Sequence, residues 1–162
     1  MAYREHLSWM LHAVRRLGVT PAEREDVVHD VFSTAWRKIE SYLPDRPMRP
    51  WLFGIAFRVV ANRKAARTGS ETLEAEFDAR RGAVDQPDSL VEAEVTRQNI
   101  QRALEQIPLE QRALFIGHDI DQTPITELAR ELEIPLNTAY SRLRLARDRF
   151  QKVFDTLQGG AP

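Results

Sequence analysis

The side chains with the clearest chemical potential in this 162-residue sequence are cations and polar groups near its C-terminus. The segment Thr138–Lys152 carries five Arg or Lys residues against the single acid Asp148. Cations of this kind pair with phosphates, while polar side chains in the first turns of a helix can hydrogen bond to base edges. These residue types in this order predict contacts with DNA. The predicted contact residues are Asn137, Thr138, Tyr140, Ser141, Arg142, Arg144, Arg147 and Lys152.

The residues around this basic segment fit two short helices that meet at a corner. Pro135 cannot extend the first helix, and Asn137 is a suitable N-cap for the second, because its side-chain oxygen can accept from a free backbone N–H. Glu133 stands where such a turn often has glycine, and a left-handed backbone there would cost on the order of 1 kcal/mol, so we expect the turn to differ locally. The pattern predicts a helix-turn-helix whose second helix enters the major groove, with an ordinary charged helical hairpin as the alternative.

A second basic stretch lies in the first half of the chain. Ala56–Arg67 carries Arg58, Arg63 and Lys64 as well as Arg67 itself, and it contains no acid. A solvated helix face is the simpler interpretation of either stretch alone. Two such stretches, one in each half, favour contacts with nucleic acid in spite of a net charge of −1.

Acidic residues recur on a neighbouring helix of the first half. Glu23, Asp26 and Asp30 follow one another at steps of three and four residues, which places them on one face of a helix. Such a ridge can pair with arginines of a partner protein. A solvated ridge is the alternative.

Composition excludes several classes of function. The chain has no cysteine, so thiol catalysis, disulfides and cysteine-based metal sites are excluded. No two histidines lie three or four residues apart, no glycine-rich loop could hold a phosphate, and no serine has a recognisable base and orienting acid. No apolar run is long enough to span a membrane. We therefore expect a cytoplasmic protein that is not an enzyme, with no catalytic residue, no metal and no cofactor.

The hydrophobic pattern has a helical period along almost every long segment, and no stretch alternates as a half-buried strand does. The sequence therefore predicts an all-α fold of two small helical domains, at residues 1–68 and 89–157. Residues 69–88 combine glycine and proline with many acids, so we expect a flexible acidic linker there. Residues 158–162 are predicted to be a disordered tail.

Within the first domain, the second helix is predicted to begin with Thr20 as its N-cap and to end near Tyr42. Its apolar positions place Trp36 and Ile39 among the inward-facing residues. Closely spaced prolines then predict a stiff loop over residues 43–50.

Two motifs together resemble a known family. Asp26–Trp36, followed by Pro50–Ala56, resembles domain two of the extracytoplasmic-function (ECF) sigma factors of the sigma-70 family. Leu104–Phe150, which includes the predicted helix-turn-helix, resembles their domain four. The pair of motifs in this order and spacing is highly specific, and it covers nearly the whole chain apart from the linker and the tail. The resemblance implies a dissociable subunit that directs bacterial RNA polymerase to promoters.

The resemblance also assigns roles to particular residues. Domain four would read the −35 element through the helix-turn-helix residues given above. Domain two would open and read the −10 element, through Arg46, Arg49, Trp51, Arg58, Asn62, Arg63, Lys64 and Arg67. Trp51 could equally belong to the core. The family's pattern usually has glutamine in place of His29, an Arg-Asn pair in place of Phe57-Arg58, and an acid near Asn62.

The partners that the resemblance implies are promoter DNA, the core RNA polymerase and an anti-sigma factor. Domain two would dock on the clamp helices of the largest polymerase subunit, and the flap region would provide a second contact. The residues predicted to bind polymerase are Glu23, Asp26, His29 and Asp30. A stand-alone helix-turn-helix regulator is the alternative function, and it would bind duplex DNA strongly without polymerase.

Overall fold

The computed structural model of the protein describes residues 2–68 and 88–159, and their regular structure is entirely helical. The seven α-helices are α1 (Ala2–Arg16), α2 (Arg24–Arg37), α3 (Met48–Thr68), α4 (Asp88–Glu105), α5 (Leu109–Phe115), α6 (Ile125–Glu131) and α7 (Leu136–Gly159). A 3-10 turn, Ile39–Ser41, follows α2, and a π-helical turn, Ile116–Ile120, continues α5. The predicted all-α fold is confirmed.

The predicted linker and tail lie mostly beyond the described ranges. Of residues 69–88, only Asp88 is described, and it begins α4. Of residues 158–162, the first two belong to α7, so this helix ends two residues later than the predicted boundary at 157.

The first half of the chain packs three helices around apolar stripes. In α1, Met10, Ala13, Val14 and Leu17 follow the i, i+3, i+4, i+7 spacing of one helix face, and all four are buried. The 14-residue helix α2 contributes a stripe of small β-branched side chains that packs against α1 and α3. It begins at Arg24, because residues 20–23 form a turn, and it ends at Arg37 rather than near Tyr42.

Helix α3 differs from an ordinary surface helix, since every residue from Pro50 to Ala56 is buried. A helix that faces solvent on one side buries only a stripe, so burial on all sides means that a second layer covers α3. Helix α6 supplies that layer. Gly54 is the closest point of approach, because a Cβ atom there would lie 2.7 Å from the carbonyl oxygen of Glu131, the last residue of α6.

The second half contains the predicted helix-turn-helix, formed by α6 and α7. Leu128 and Ala129 of α6 pack against Ala139, Leu143 and Ala146 of α7, and all five are buried. The π-helical turn after α5 packs against α6.

The two halves share one continuous core, and a buried arginine joins them. Arg112 of α5 is only 8% exposed. Its Nη1 donates to the carbonyl oxygen of Leu17 in the first half at 2.8 Å, and its Nη2 donates to that of Ile107 at 2.8 Å. Burial lowers the pKa of Arg112, an effect that the charges of Glu105 and Glu110 oppose. The guanidinium thus satisfies carbonyl groups on both sides of the junction.

Polar contacts at two further points reinforce this junction. Trp9 Nε1 donates to Asp121 Oδ2 at 3.3 Å, and Arg16 lies 3.8 Å from the same carboxylate. Burial raises the pKa of Asp121, while Arg16 and the hydrogen bond from Trp9 act in the opposite direction. Gln101 Nε2 donates to the carbonyl oxygen of Arg15 at 2.8 Å.

The turn of the helix-turn-helix differs from our expectation in two ways. Glu133 itself adopts the left-handed backbone, with φ of 57°, so the chain keeps the ordinary turn without glycine. Helix α7 begins at Leu136, which places Asn137 inside the first turn and not at the N-cap. The expected side-chain cap at Asn137 was therefore wrong.

We predict that Glu133→Gly raises the free energy of unfolding by up to about 1 kcal/mol, because glycine adopts positive φ without the steric cost. Urea denaturation followed by circular dichroism measures the change. Glu127→Gly, inside α6, is the matched control and should lower stability by about 1 kcal/mol. A loss of stability in both variants would contradict this view of the turn.

Candidate nucleic-acid and polymerase interface

The first turns of α7 bring several predicted DNA-contacting side chains onto one groove. Tyr140 is 53% exposed, and Ser141 and Arg144 are exposed beside it. These three residues line the groove together with His118 and Arg147. Hydroxyl groups and a guanidinium at the start of a protruding helix are suited to base edges and phosphates of a major groove.

Arg147 already has a partner within the chain. Its Nε and Nη2 donate to the two carboxylate oxygens of Asp119 at 2.8 and 2.7 Å, and the hydrogen bonds raise the pKa of Arg147. Such a bidentate pair fixes the guanidinium plane. Arg147 therefore borders the groove with its charge partly neutralised.

Arg142 and Lys152 do not join Arg144 in that groove. Side chains two positions apart on an α-helix point in directions about 200° apart, so Arg142 and Arg144 lie on different faces of α7. Arg142 is half-buried, whereas Lys152 is exposed two turns beyond Arg144. Asn137 is exposed and Thr138 is half-buried at the start of the helix. The predicted set is thus spread around α7.

In the first half, predicted DNA-contacting cations pair with predicted polymerase-contacting acids. Arg63 of α3 forms an ion pair with Asp30 of α2, and Arg67 forms one with Glu23. The two groups, which the sequence suggested as separate sites, face each other across the α2–α3 packing. Asn62 and Lys64 remain exposed on α3.

Two residues assigned to the −10 element are not free in this structure. Trp51 is 8% exposed and its ring centroid lies 5.1 Å from that of Tyr42, so it belongs to the core, as the alternative had it. Arg58 Nη1 donates to the carbonyl oxygen of Glu131 at 2.9 Å. Of the two interpretations of Trp51, its burial favours the core, and Arg58 is held by the second half of the chain.

The predicted proline loop is shorter than expected, because α3 begins at Met48. Arg46 is exposed, and its carbonyl oxygen accepts a hydrogen bond from the Tyr42 hydroxyl at 2.6 Å. Arg49 lies in the first turn of α3, where its guanidinium stands 5.3 Å from the centre of the Trp9 ring. This distance fits a cation–π contact.

Sequence reasoning missed an apolar groove on α2. Trp36 is 78% exposed and Ile39 is 43% exposed, although both were expected to face inward. They line a groove together with Tyr3, Phe32 and Met48. The helical spacing indicates this exposure, because Trp36 lies about 100° around α2 from the buried Ala35 and therefore at the edge of the apolar stripe.

Asp26 and His29 are exposed on α2, and Trp36 lies two turns beyond His29. Residues spaced by three or seven positions share a helix face. This side of α2 therefore offers an acid, an imidazole and a large aromatic ring to solvent. The exposed aromatic ring is of a type enriched at protein-binding surfaces.

Within residues 2–68 and 88–159, no three His, Asp or Glu side chains come together as a metal site would require. Among the helices of those ranges, none is both long and apolar enough to cross a membrane.

Comparisons with known proteins match both halves of the chain. Residues 2–69 match the family Sigma-70 region 2, and residues 97–150 match Sigma-70, region 4. The ECF RNA polymerase sigma factor RpoE of Cereibacter sphaeroides is 30% identical over 138 residues, which cover 83% of this chain and 74% of the relative. The ECF RNA polymerase sigma-E factor of Escherichia coli K12 is 28% identical over 132 residues, covering 76% and 69%.

Two solved structures share the fold. The sigma factor RpoE of Bartonella quintana, in complex with the anti-sigma factor NepR, superposes with a TM-score of 0.68 at 23% identity, covering 95% of this chain and 97% of that one. CnrH, in complex with the cytosolic domain of CnrY, gives a TM-score of 0.63 at 21% identity, covering 96% and 86%.

We predict that Asp30→Asn lowers the free energy of unfolding by less than about 1 kcal/mol, because its ion pair with Arg63 is partly exposed and screened by solvent. The difference should shrink in 1 M salt, as measured by urea denaturation at low and high ionic strength. Asp26→Asn is the control, since the described residues offer Asp26 no ion pair. A large, salt-independent loss at Asp30 would contradict this estimate.

Proposed function

Because the chain belongs to the ECF sigma factors of the sigma-70 family, which direct promoter-specific transcription initiation, we propose that its two halves divide promoter recognition between them. Helix α7 reads the −35 element as duplex. Helix α3 and the loop before it bind the −10 element. Family membership does not favour the alternative of a stand-alone helix-turn-helix regulator.

Exposure at the start of α7 carries the −35 assignment. Tyr140, Ser141 and Arg144 project from consecutive turns of a helix whose opposite side is packed on α5 and α6. In a helix-turn-helix, these are the positions that reach base edges, whereas cations further along meet phosphates. Lys152 fits the phosphate role, and Arg147 can join it when phosphate replaces Asp119 as its partner.

For the −10 element, accessible groups include Arg46 in the loop, Arg49 in the first turn of α3, and Asn62 and Lys64 further along α3. Arg63 and Arg67 lie beside them, each held by an acid of α2. Surface ion pairs are weak, so phosphates can compete for these guanidinium groups. Arg58 belongs to the same helix and becomes available when its contact with α6 is released.

The exposed side of α2 is the proposed contact with core polymerase. Asp26 and His29 supply polar and charged groups there, and Trp36 supplies a large exposed ring of the type that anchors interfaces. The partner surface would be the clamp helices of the largest polymerase subunit. The second half would meet the flap region.

Control by an anti-sigma factor and action in the cytoplasm complete the proposal. The two solved structures described above are both complexes, one with an anti-sigma factor and one with the cytosolic domain of CnrY. We propose that this chain likewise has an inhibitory protein partner. Its role in initiation requires no catalytic residue, metal or cofactor of its own.

Arg144→Ala is predicted to weaken use of the −35 element by about 1–3 kcal/mol, or roughly 5- to 150-fold, because one base or phosphate contact is lost. Promoters selected with the reconstituted holoenzyme, then compared with and without their −35 element, provide the measurement. Arg149→Ala removes the same charge from another face of α7 and should leave use of that element unchanged. Equal use of the −35 element by the two variants would show that Arg144 does not contact it.

Trp36→Ala is predicted to weaken binding of the full chain to core polymerase by tenfold or more, on the order of 1.4 kcal/mol, since it deletes an exposed aromatic anchor. Fluorescence anisotropy of the labelled chain measures the affinity. Trp36→Phe keeps part of the ring area and should show an intermediate loss. Unchanged affinity in Trp36→Ala would show that polymerase binds elsewhere.

A further inference from the structure

We infer that Asp119 competes with DNA phosphate for the Arg147 guanidinium, and that this competition sets how strongly the start of α7 holds the −35 element. The inference rests on the −35 role of α7 proposed above. Asp119 is then a positioning residue, because it acts on the promoter through Arg147.

The geometry of the pair is that of a bound phosphate. Arg147 donates through Nε to Asp119 Oδ2 at 2.8 Å and through Nη2 to Oδ1 at 2.7 Å. Two parallel hydrogen bonds from one edge of a guanidinium are the arrangement in which arginine also binds the two free oxygens of a backbone phosphate. That edge accommodates one such partner at a time, so a phosphate that takes it must displace Asp119.

The pair lies where a duplex can reach it. The side chains of Arg147 and Asp119 are 51% and 24% exposed, and Arg147 borders the groove that Tyr140, Ser141 and Arg144 line. An ion pair this exposed contributes little to stability, because water and salt screen it. Phosphate can therefore exchange with the carboxylate without unfolding the turn that carries Asp119.

Asp119 also leaves the groove without a surplus of positive charge. Two cations, Arg144 and Arg147, stand against two acids, Asp148 in the groove and Asp119 beside it. Surfaces that bind DNA are usually strongly basic, since each cation that pairs with a phosphate releases counterions and adds sequence-independent affinity. With Arg147 neutralised, the −35 groove gains little of that affinity and depends more on its contacts with base edges.

The element that presents Asp119 is the π-helical turn Ile116–Ile120, a rare conformation that recurs at functional sites. Gly117 places this turn directly on α6, because a Cβ atom there would lie 2.6 Å from Leu128 Cδ1. Just after the turn, Gln122 adopts φ of 58°, which is unfavourable for a residue with a side chain. A strained backbone persists only where the surrounding structure imposes it, so tertiary packing fixes the position of Asp119 opposite α7.

A purely structural role is the alternative, in which Asp119 only fastens the turn to α7. The turn has other fastenings. The backbone N–H of Thr123 donates to the carbonyl oxygen of Gly117 at 2.9 Å, and His118 Nδ1 lies 2.9 Å from the carbonyl oxygen of Thr123. The structural alternative therefore predicts that removal of the carboxylate changes stability and leaves DNA binding no tighter.

Asp119→Asn tests the inference in the full chain, with Asp148→Asn as the matched control. Both substitutions remove one negative charge beside the same groove and keep the size of the side chain, but it is Asp119 that pairs with Arg147. Asp119→Glu keeps the charge and should stay close to wild type. Each variant is also made together with Arg147→Ala, which separates an effect through Arg147 from a general effect of charge. Circular dichroism confirms that the variants fold.

The measurement is the affinity of the reconstituted holoenzyme for a promoter fragment that it selects, relative to a shorter fragment that ends downstream of the −35 element. Asp119→Asn should tighten binding about two- to fivefold, the range expected when an exposed ion pair no longer has to be broken. It should also steepen the slope of log affinity against log salt concentration by up to about 0.9, the share of one phosphate. Asp148→Asn should gain less than about twofold.

In the Arg147→Ala background, Asp119→Asn should have no effect, whereas the small gain of Asp148→Asn should persist. Unchanged or weaker binding by Asp119→Asn would overturn the inference, as would a gain that survives without Arg147. An equal gain from Asp148→Asn or from Asp119→Glu would overturn it as well.

The proposed function fails separately, when wild-type holoenzyme binds the long and the short fragment equally, and the inference then fails with it. A wild-type preference for the long fragment, without an Arg147-dependent gain in Asp119→Asn, would overturn the role of Asp119 alone.

Discussion

The contact between one backbone carbonyl of α6 and the side of α3 determines how this molecule is arranged. Because Gly54 has no side chain, the Glu131 carbonyl comes within reach of Arg58. The close packing covers α3 on both sides and joins two helical units into one core. In this arrangement the start of α7 is exposed, whereas Arg58, which we proposed as a −10 contact, is held by α6.

Electrostatics reinforces the same arrangement. The net charge of −1 conceals groups of opposite sign that neutralise each other within the first half, where Glu23 and Asp30 hold Arg67 and Arg63. These pairs are exposed enough for solvent and salt to weaken them. Under the proposed function, polymerase and DNA would have to compete for charges that the free chain already uses in these pairs.

Much of the fold could be predicted from the sequence, because helical periodicity and prolines are local signals. The predicted helix-turn-helix is present as α6 and α7, which pack through buried residues such as Leu128 and Leu143. Contacts between distant segments leave no such trace. Nothing in the spacing around Arg58 indicates a carbonyl 73 positions later, and Trp36 was assigned to the core because an apolar stripe does not reveal where its partner surface ends. Glu133 shows the opposite case, since packing of the two helices imposes a strained backbone that local preference would avoid.

The distance between the halves in the free chain and in the transcription complex is the most direct test of this account. The chain has no cysteine, so Ala65→Cys on α3 and Gln151→Cys on α7, both at exposed positions, allow specific spin labelling. Docked halves predict one narrow distance distribution below about 40 Å for the free chain, and a shift toward roughly 85 Å when core polymerase and promoter DNA are added. A broad, long distribution in the free chain, or a short distance that persists in the active complex, would contradict it.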